Sequence, residues 1–202
     1  MNYTESLAYL DSLGKFGIKL GMERIEGLLR ELGNPEQKIK TVHVTGTNGK
    51  GSVTSMITSI LLAANLKVGK FTSPHLVKYN ERINLNGKDI SDEDFAMAIT
   101  AVKVAADSVV KKGVCEQPTQ FEILTAAAFL YFYLQKVDYA VIEVGMGGLW
   151  DSTNVITPVV SVITNVALDH TDRCRKTLER IAMQKAGMIK EKVHLVTAAE
   201  GN

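Results

Sequence analysis

The sequence has few cysteines, no excess of positive charge and no long apolar run. Each of these absences excludes a class of site or partner. Its two cysteines, Cys115 and Cys174, are far apart and have neither disulfide nor metal-ligand spacing, which favours reduced thiols in the cytoplasm. The formal net charge is +1 without a basic stripe, so nucleic acid is not an expected partner. The longest apolar stretch, residues 126–134, is too short to cross a membrane. A signal-peptide pattern is also missing.

The remaining composition predicts one globular α/β domain over residues 1–202. The hydrophobic share of 46% and the charged share of 22% are ordinary for such a domain. Strands that alternate with helices indicate a doubly wound, mostly parallel sheet. The polar segment 72–90 is predicted to be a long functional loop. Helices are predicted over residues 3–13, 22–32, 53–64, 91–112, 119–135 and 178–189, and strands over 41–45, 66–71, 137–144, 159–166 and 193–197.

A glycine-rich turn lies between the first predicted strand and the helix that follows it. Its sequence is Gly46-Thr47-Asn48-Gly49-Lys50-Gly51-Ser52. In a strand–turn–helix unit the backbone N–H groups converge on an anion, and Lys50 stands where an ammonium can reach terminal phosphates. The strict P-loop pattern is broken twice, because Val44 replaces its first glycine and Gly51 follows the lysine. An ordinary turn therefore stays open as the alternative.

Three polar side chains follow the ends of other predicted strands. Ser73 follows the second strand, Glu143 ends the third and His170 follows the fourth. Ligands of such sheets bind beyond the carboxyl ends of the strands, so together with the glycine-rich turn these residues predict a metal–nucleotide site. Each one alone also fits a structural role, as a loop cap, a turn or a surface residue. Lys185 lies on a helix with apolar neighbours. A structural role is equally open for it, with the aliphatic part of the side chain buried and the ammonium in water.

The glycine-rich turn resembles the P-loop of the Mur ligase superfamily, and more narrowly that of the folylpolyglutamate synthases and their dihydrofolate synthase relatives. Four further segments resemble segments of that family in the same order. They are residues 71–83 (FTSPHLVKYNERI), 143–156 (EVGMGGLWDSTNVI), 168–172 (LDHTD) and 185–187 (KAG). The resemblance therefore covers nearly the whole chain and implies a P-loop domain of the Mur-ligase type.

The resemblance also implies roles for individual residues. Residues 46–52 would bind ATP through the loop, with Lys50 as a catalytic group on the phosphates. Ser73 and Glu143 would hold one Mg²⁺, and His170 would help to hold a second. Lys185 would be a catalytic lysine carrying a carbamyl group. Arg82 and Phe121 would contact the folate.

The implied function is an ATP-dependent ligase that adds L-glutamate to the γ-carboxylate of a reduced folate through an acyl phosphate. Such an enzyme serves folate biosynthesis and one-carbon metabolism, and we expect a cytoplasmic monomer. Family members are about twice as long and have a second, glutamate-binding domain, so the chain is expected to be most of the ATP-binding domain. A truncated or decayed ligase that only binds nucleotide is therefore an alternative. An unrelated P-loop hydrolase or kinase is another, although the guanine-reading Asn-Lys-x-Asp motif is missing.

Overall fold

The computed structural model describes residues 1–14, 21–168 and 177–199. Within them the chain forms six α-helices and seven β-strands. The helices are α1 (Tyr3–Leu13), α2 (Glu23–Glu31), α3 (Lys50–Ala63), α4 (Asp92–Lys111), α5 (Gln120–Leu134) and α6 (Leu178–Ala186). The strands are β1 (Thr41–Thr45), β2 (Val68–Phe71), β3 (Ile83–Leu85), β4 (Lys88–Asp89), β5 (Tyr139–Glu143), β6 (Val160–Ile163) and β7 (His194–Thr197). Among these helices, none has the length and apolar character that a membrane span requires.

The seven strands form one sheet in the order β4-β3-β2-β5-β1-β6-β7. The pairs β2–β5, β5–β1, β1–β6 and β6–β7 are parallel. Only the hairpin strands β3 and β4 at one edge run antiparallel to their neighbours. The predicted fold class, an α/β domain with a mostly parallel sheet, is confirmed.

Helices cover both faces of the sheet because its strands alternate their side chains between two cores. On one face, α1, α2, α4 and α5 bury Phe71 and Ile142 of the sheet in a large cluster. On the other face, α3 packs on a smaller cluster that includes Val68 and Val141. A strand with apolar side chains on both faces reads as a continuous apolar run, and β5 has this pattern.

The prediction of one long loop over residues 72–90, without secondary structure of its own, was wrong in that respect. This segment contains a 3₁₀ turn, Tyr79–Arg82, and the β3–β4 hairpin. Asn86 and Gly87 close the hairpin with φ angles of +52° and +81°, a two-residue turn for which Asn-Gly is the favoured sequence. The two strands have only three and two residues, so they are too short to show a period-two pattern.

Candidate functional site

The N-terminus of α3 is built to receive an anion. Its cap residue, Gly49, has a left-handed φ of +76° and makes no side-chain cap, and the first turn holds no acidic residue. By contrast, side chains cap α1, α4, α5 and α6, and α2 carries acidic residues in its first turn. The first N–H groups of a helix lack intrahelical partners and lie at the positive end of its dipole. Such a terminus suits a phosphate.

The loop that precedes α3 is held by the segment after β6, the neighbouring strand. The side-chain Oδ1 of Asn165 accepts hydrogen bonds from the backbone N–H groups of Thr47 at 3.1 Å and Asn48 at 2.9 Å. The Thr47 hydroxyl donates to the carbonyl of Ala167 and accepts from its N–H, both at 3.1 Å. No role was predicted for Asn165 from the sequence. Its position near the end of a predicted parallel strand could have indicated one, because such ends lie at the same edge of the sheet as the glycine-rich turn.

Glycine is required at position 46 because the two loops approach each other closely there. A Cβ atom on Gly46 would lie 1.8 Å from Oγ1 and 3.0 Å from Cβ of Thr164. The Thr164 hydroxyl itself donates a hydrogen bond to the carbonyl of Asn48. The spacing of the two loops is therefore fixed by residues that directly follow β1 and β6.

The Lys50 ammonium lies over this loop. Its Nζ donates to the carbonyl oxygens of Gly46 at 3.0 Å and Thr47 at 3.4 Å. Both partners are neutral, and an anion is a stronger partner for an ammonium than a carbonyl is. Ser52 is exposed in the first turn of the same helix. The predicted nucleotide residues, 46–52, thus form one continuous loop and helix start at the carboxyl edge of the sheet.

Glu143 ends β5 beside this loop, in register with Val44 of β1. Its side chain is only 4% exposed, and its Oε2 accepts a hydrogen bond from the backbone N–H of Ser73 at 3.3 Å. Burial raises the pKa of Glu143, and the Ser73 N–H and the charges of Lys50 and Lys70 oppose that rise. The structure therefore brings Ser73, Glu143 and the glycine-rich loop together.

A cleft of about 350 Å³ opens at this point between α3, β2 and the segment after β2. It is lined by Gly51, Ser55, Lys70, Thr72, Ser73, Pro74, Leu76, Glu81, Asp89 and Glu143. A Cβ on Gly51 would lie 3.6 Å from Oε2 of Glu143, so the helix start directly faces the carboxylate. The cleft joins the predicted phosphate loop to the segment 71–83, which contains the predicted folate contact Arg82.

Two polar side chains order the backbone of residues 71–83, the segment that resembles the family and contains the predicted folate contact Arg82. The Glu81 carboxylate accepts backbone hydrogen bonds from Leu76 and Val77 at 2.8 Å and from Lys78 at 2.6 Å, and these bonds lower its pKa. Arg82 donates from Nε to Nδ1 of His75 at 2.8 Å. That imidazole is therefore neutral with its proton on Nε2, and burial together with Arg82 lowers its pKa.

Phe121, predicted as a folate contact, lies at the start of α5 under the loop that follows β5. A Cβ on Gly145 would lie 2.5 Å from the Cζ atom of Phe121. The same ring packs on Phe71, with 6.0 Å between ring centroids. Arg82 and Phe121 thus both border the carboxyl edge of β2 and β5, although no contact between them is seen.

A buried network of hydrogen-bonded side chains holds the loop after β5. This network was not predicted from the sequence. Asp151 accepts hydrogen bonds from the Met146 N–H at 2.8 Å and from the N–H of Thr153 at 3.0 Å. The Thr153 hydroxyl also donates to Asp151 and lies 2.8 Å from Nε2 of His43. Burial, reinforced by the charge of Lys190, lowers the pKa of His43 to about 3, so this imidazole is neutral. The loop after β5 is thereby anchored to β1.

Lys185 lies in the last turn of α6 and is 5% exposed. Its backbone packs on the loop after β5, because a Cβ on Gly148 would be 3.3 Å from the Cα of Lys185. The carbonyl of Gln184 accepts a hydrogen bond from the N–H of Leu149 at 2.8 Å. His170 lies outside the described residues. In the part of the chain that is described, no group of three or more His, Cys, Asp or Glu side chains is placed to hold a metal ion.

Comparisons with known proteins point to one family. A family model of the Mur ligase middle domain matches residues 44–199. A dihydrofolate synthase/folylpolyglutamate synthase of Bacillus subtilis is 45% identical over 197 residues, which are 97% of this chain and 46% of that protein. A folylpolyglutamate synthase of Lacticaseibacillus casei is 46% identical over 197 residues, which are 98% of this chain and 46% of that protein.

The fold has the same relatives among solved structures. A complex of FPGS, a folylpolyglutamate synthase, with AMPPCP and folate matches with a TM-score of 0.89 and 46% identity. The match covers 98% of this chain and 48% of that one. The chain thus spans about half the length of the relatives that it matches.

Proposed function

The chain belongs to the Mur ligase family through its middle domain, and from this premise we propose that it provides the ATP-binding part of a folylpolyglutamate synthase. The proposed reaction joins the amine of L-glutamate to the γ-carboxylate of a reduced folate at the expense of ATP. A dihydrofolate synthase activity at the same site belongs to the proposal, because the Bacillus relative carries both names. The cytoplasmic location and the monomeric state expected from the resemblance remain parts of this proposal.

One observation carries the proposal. The uncapped N-terminus of α3, with Lys50 over its loop, faces the buried carboxylate of Glu143 across the cleft. Phosphoryl transfer from Mg-ATP requires a site for the phosphates and, beside it, oxygen ligands for Mg²⁺. Both are present at this edge of the sheet. The relative that was solved with AMPPCP, an ATP analogue, and folate supports the choice of both substrates.

The residues at the cleft also fit Mg²⁺. Mg²⁺ is usually held by one or two protein carboxylates together with phosphate oxygens and water. Glu143 would supply the carboxylate and Ser73 a hydroxyl, and a cation there would offset the burial that raises the pKa of Glu143. When bound, the ion would neutralise charge on the phosphates during transfer.

The first chemical step forms an acyl phosphate. An oxygen of the folate γ-carboxylate forms a bond to the γ-phosphorus of ATP, and the bond from that phosphorus to the β,γ-bridging oxygen breaks to leave ADP. Lys50 and the backbone N–H groups at the start of α3 orient the phosphates and stabilise their charge. The loop contacts from Asn165 hold these donors in place before the nucleotide arrives.

The second step forms the amide. The neutral amine of glutamate attacks the acyl carbon, the bond from this carbon to the phosphate oxygen breaks to release inorganic phosphate, and the nitrogen gives up a proton to water. We propose that His170 would help to hold a second Mg²⁺ and that Lys185 would lie near it, as the family resemblance implies. A carbamyl group on Lys185 would turn its cationic side chain into an anionic ligand, and this modification also remains a proposal.

The test is incorporation of labelled L-glutamate into tetrahydrofolate by the protein made from its full coding sequence, with ATP, Mg²⁺ and bicarbonate. The expected result is one ADP released for each glutamate joined. Nucleotide binding without incorporation would contradict the ligase and support the alternative of a nucleotide-binding protein. Activity that is unchanged without bicarbonate would argue against a carbamyl group.

A further inference from the structure

Lys70 is a cation that lines the Glu143 cleft and that has no part in the reaction proposed above. It lies on β2, one residue before the buried Phe71, and its side chain points to the sheet face that α3 covers, as that of Val68 does. There it lines the cleft with Gly51 and Ser55 of α3. Its charge is close enough to Glu143 to oppose the rise in the pKa of that carboxyl.

The Lys70 ammonium differs from the other charged groups of the cleft in having no partner of its own. It forms no hydrogen bond or ion pair with any residue that the structure describes. Lys50 is bonded to two carbonyls, and Glu81 is surrounded by three N–H groups. Asp89 accepts a hydrogen bond from Nδ2 of Asn84 at 3.1 Å. The cleft thus presents a half-buried ammonium that is available to a ligand.

We propose that Lys70 binds a carboxylate of the glutamyl tail of the folate substrate and so holds that tail beside Glu143. The inference rests on the proposed function and assigns the contact that fixes this tail. A folate must bring an anionic tail to the γ-phosphate, next to the carboxylates of Glu143, Glu81 and Asp89. A positive side chain beside the tail, in addition to the Mg²⁺ proposed at Glu143, would lessen that repulsion and fix the position of the tail. The Lys70 side chain reaches this cleft from β2, on the side of the sheet where Gly51 and Ser55 of α3 also line it.

The test compares ligands with and without a glutamyl tail. Folic acid and pteroic acid, which lacks the tail, are titrated calorimetrically into the parent and into Lys70→Met, Lys70→Arg and Lys88→Met. Lys88→Met is the matched control, because it removes the same charge from the exposed strand β4 and does not line the cleft. AMPPCP with Mg²⁺ is titrated separately into all four proteins, and circular dichroism checks the fold.

The expected result is that Lys70→Met weakens folic acid binding about 10-fold or more, the size of one hydrogen bond to a charged group. Pteroic acid should be affected far less, and Lys70→Arg and Lys88→Met should stay close to the parent. Equal loss for both ligands, equal loss in Lys88→Met, or no folic acid binding by the parent would overturn the proposal. If the parent binds folic acid and does not bind AMPPCP, the proposed function is contradicted, but the comparison of folic acid with pteroic acid still tests Lys70. If Lys70→Met does not fold, Lys70→Gln replaces it.

Discussion

Removal of the Asn165 side chain should weaken nucleotide binding without unfolding the domain. Asn165→Ala deletes the Oδ1 atom that accepts from the N–H groups of Thr47 at 3.1 Å and Asn48 at 2.9 Å. The backbone bond from Thr47 to the Asn165 carbonyl remains. Two side-chain hydrogen bonds are worth about 1–2 kcal/mol in all, since water can replace part of them at this half-exposed loop. If that energy holds the loop ready for phosphate, affinity should fall about 5- to 30-fold.

The assay is calorimetric titration with Mg-AMPPCP, together with thermal melting. Asn86→Gly is a matched control, because Oδ1 of Asn86 also accepts a backbone hydrogen bond, from Val68 at 2.8 Å, but does so at the hairpin. Glycine accepts the φ of +52° at position 86, so the variant loses the side chain without backbone strain. The control should lose stability and keep its affinity. Equal affinity in Asn165→Ala and the parent would refute the idea that Asn165 preorganises the loop.

Three further changes test other parts of the site. Gly46→Ala should abolish Mg-AMPPCP binding in titration, because its Cβ would lie 1.8 Å from Oγ1 of Thr164, and unchanged binding would contradict the loop geometry. Glu143→Gln should flatten the Mg²⁺ dependence of nucleotide binding, and an unaltered Mg²⁺ titration would make Glu143 structural. His43→Gln concerns pH: the pKa of His43 is about 3 in the fold against an ordinary 6.5, so the unfolded chain takes up the proton first as pH falls. The parent should therefore lose about 1.4 kcal/mol of stability per pH unit between these values, and urea unfolding should show a shallower loss in the variant.

Much of the sheet could be predicted because its strands carry strong local patterns. The β-branched run of β1 and the apolar run of β5 were found within a few residues of their observed bounds. The start of α4 was also marked locally, since Ser91 caps the helix by accepting from the N–H of Asp94 at 3.0 Å. The polar residues Ser73 and Glu143 were predicted to meet because both follow parallel strands, and their contact at 3.3 Å agrees with that reasoning.

The contacts that hold the loops could not be predicted in the same way. Asn165 and Thr47 are separated by more than a hundred residues, and only the adjacency of β1 and β6 brings them together. The pairing of His43 with Thr153 depends likewise on the tertiary fold. The β3–β4 hairpin is different, because Asn86-Gly87 is a local turn signal that was present and was not used.

The most direct test of the whole account is the affinity of Lys50→Met for Mg-AMPPCP. In the proposed site the phosphates lie at the uncapped start of α3, and the Lys50 ammonium is their only side-chain cation among the described residues of the loop. We therefore expect measurable binding by the parent and a loss of at least about 100-fold in the variant, the upper range for one hydrogen bond to a charged group. The variant should retain its fold by circular dichroism. Equal binding by a folded Lys50→Met protein would contradict the nucleotide site and the ligase built on it.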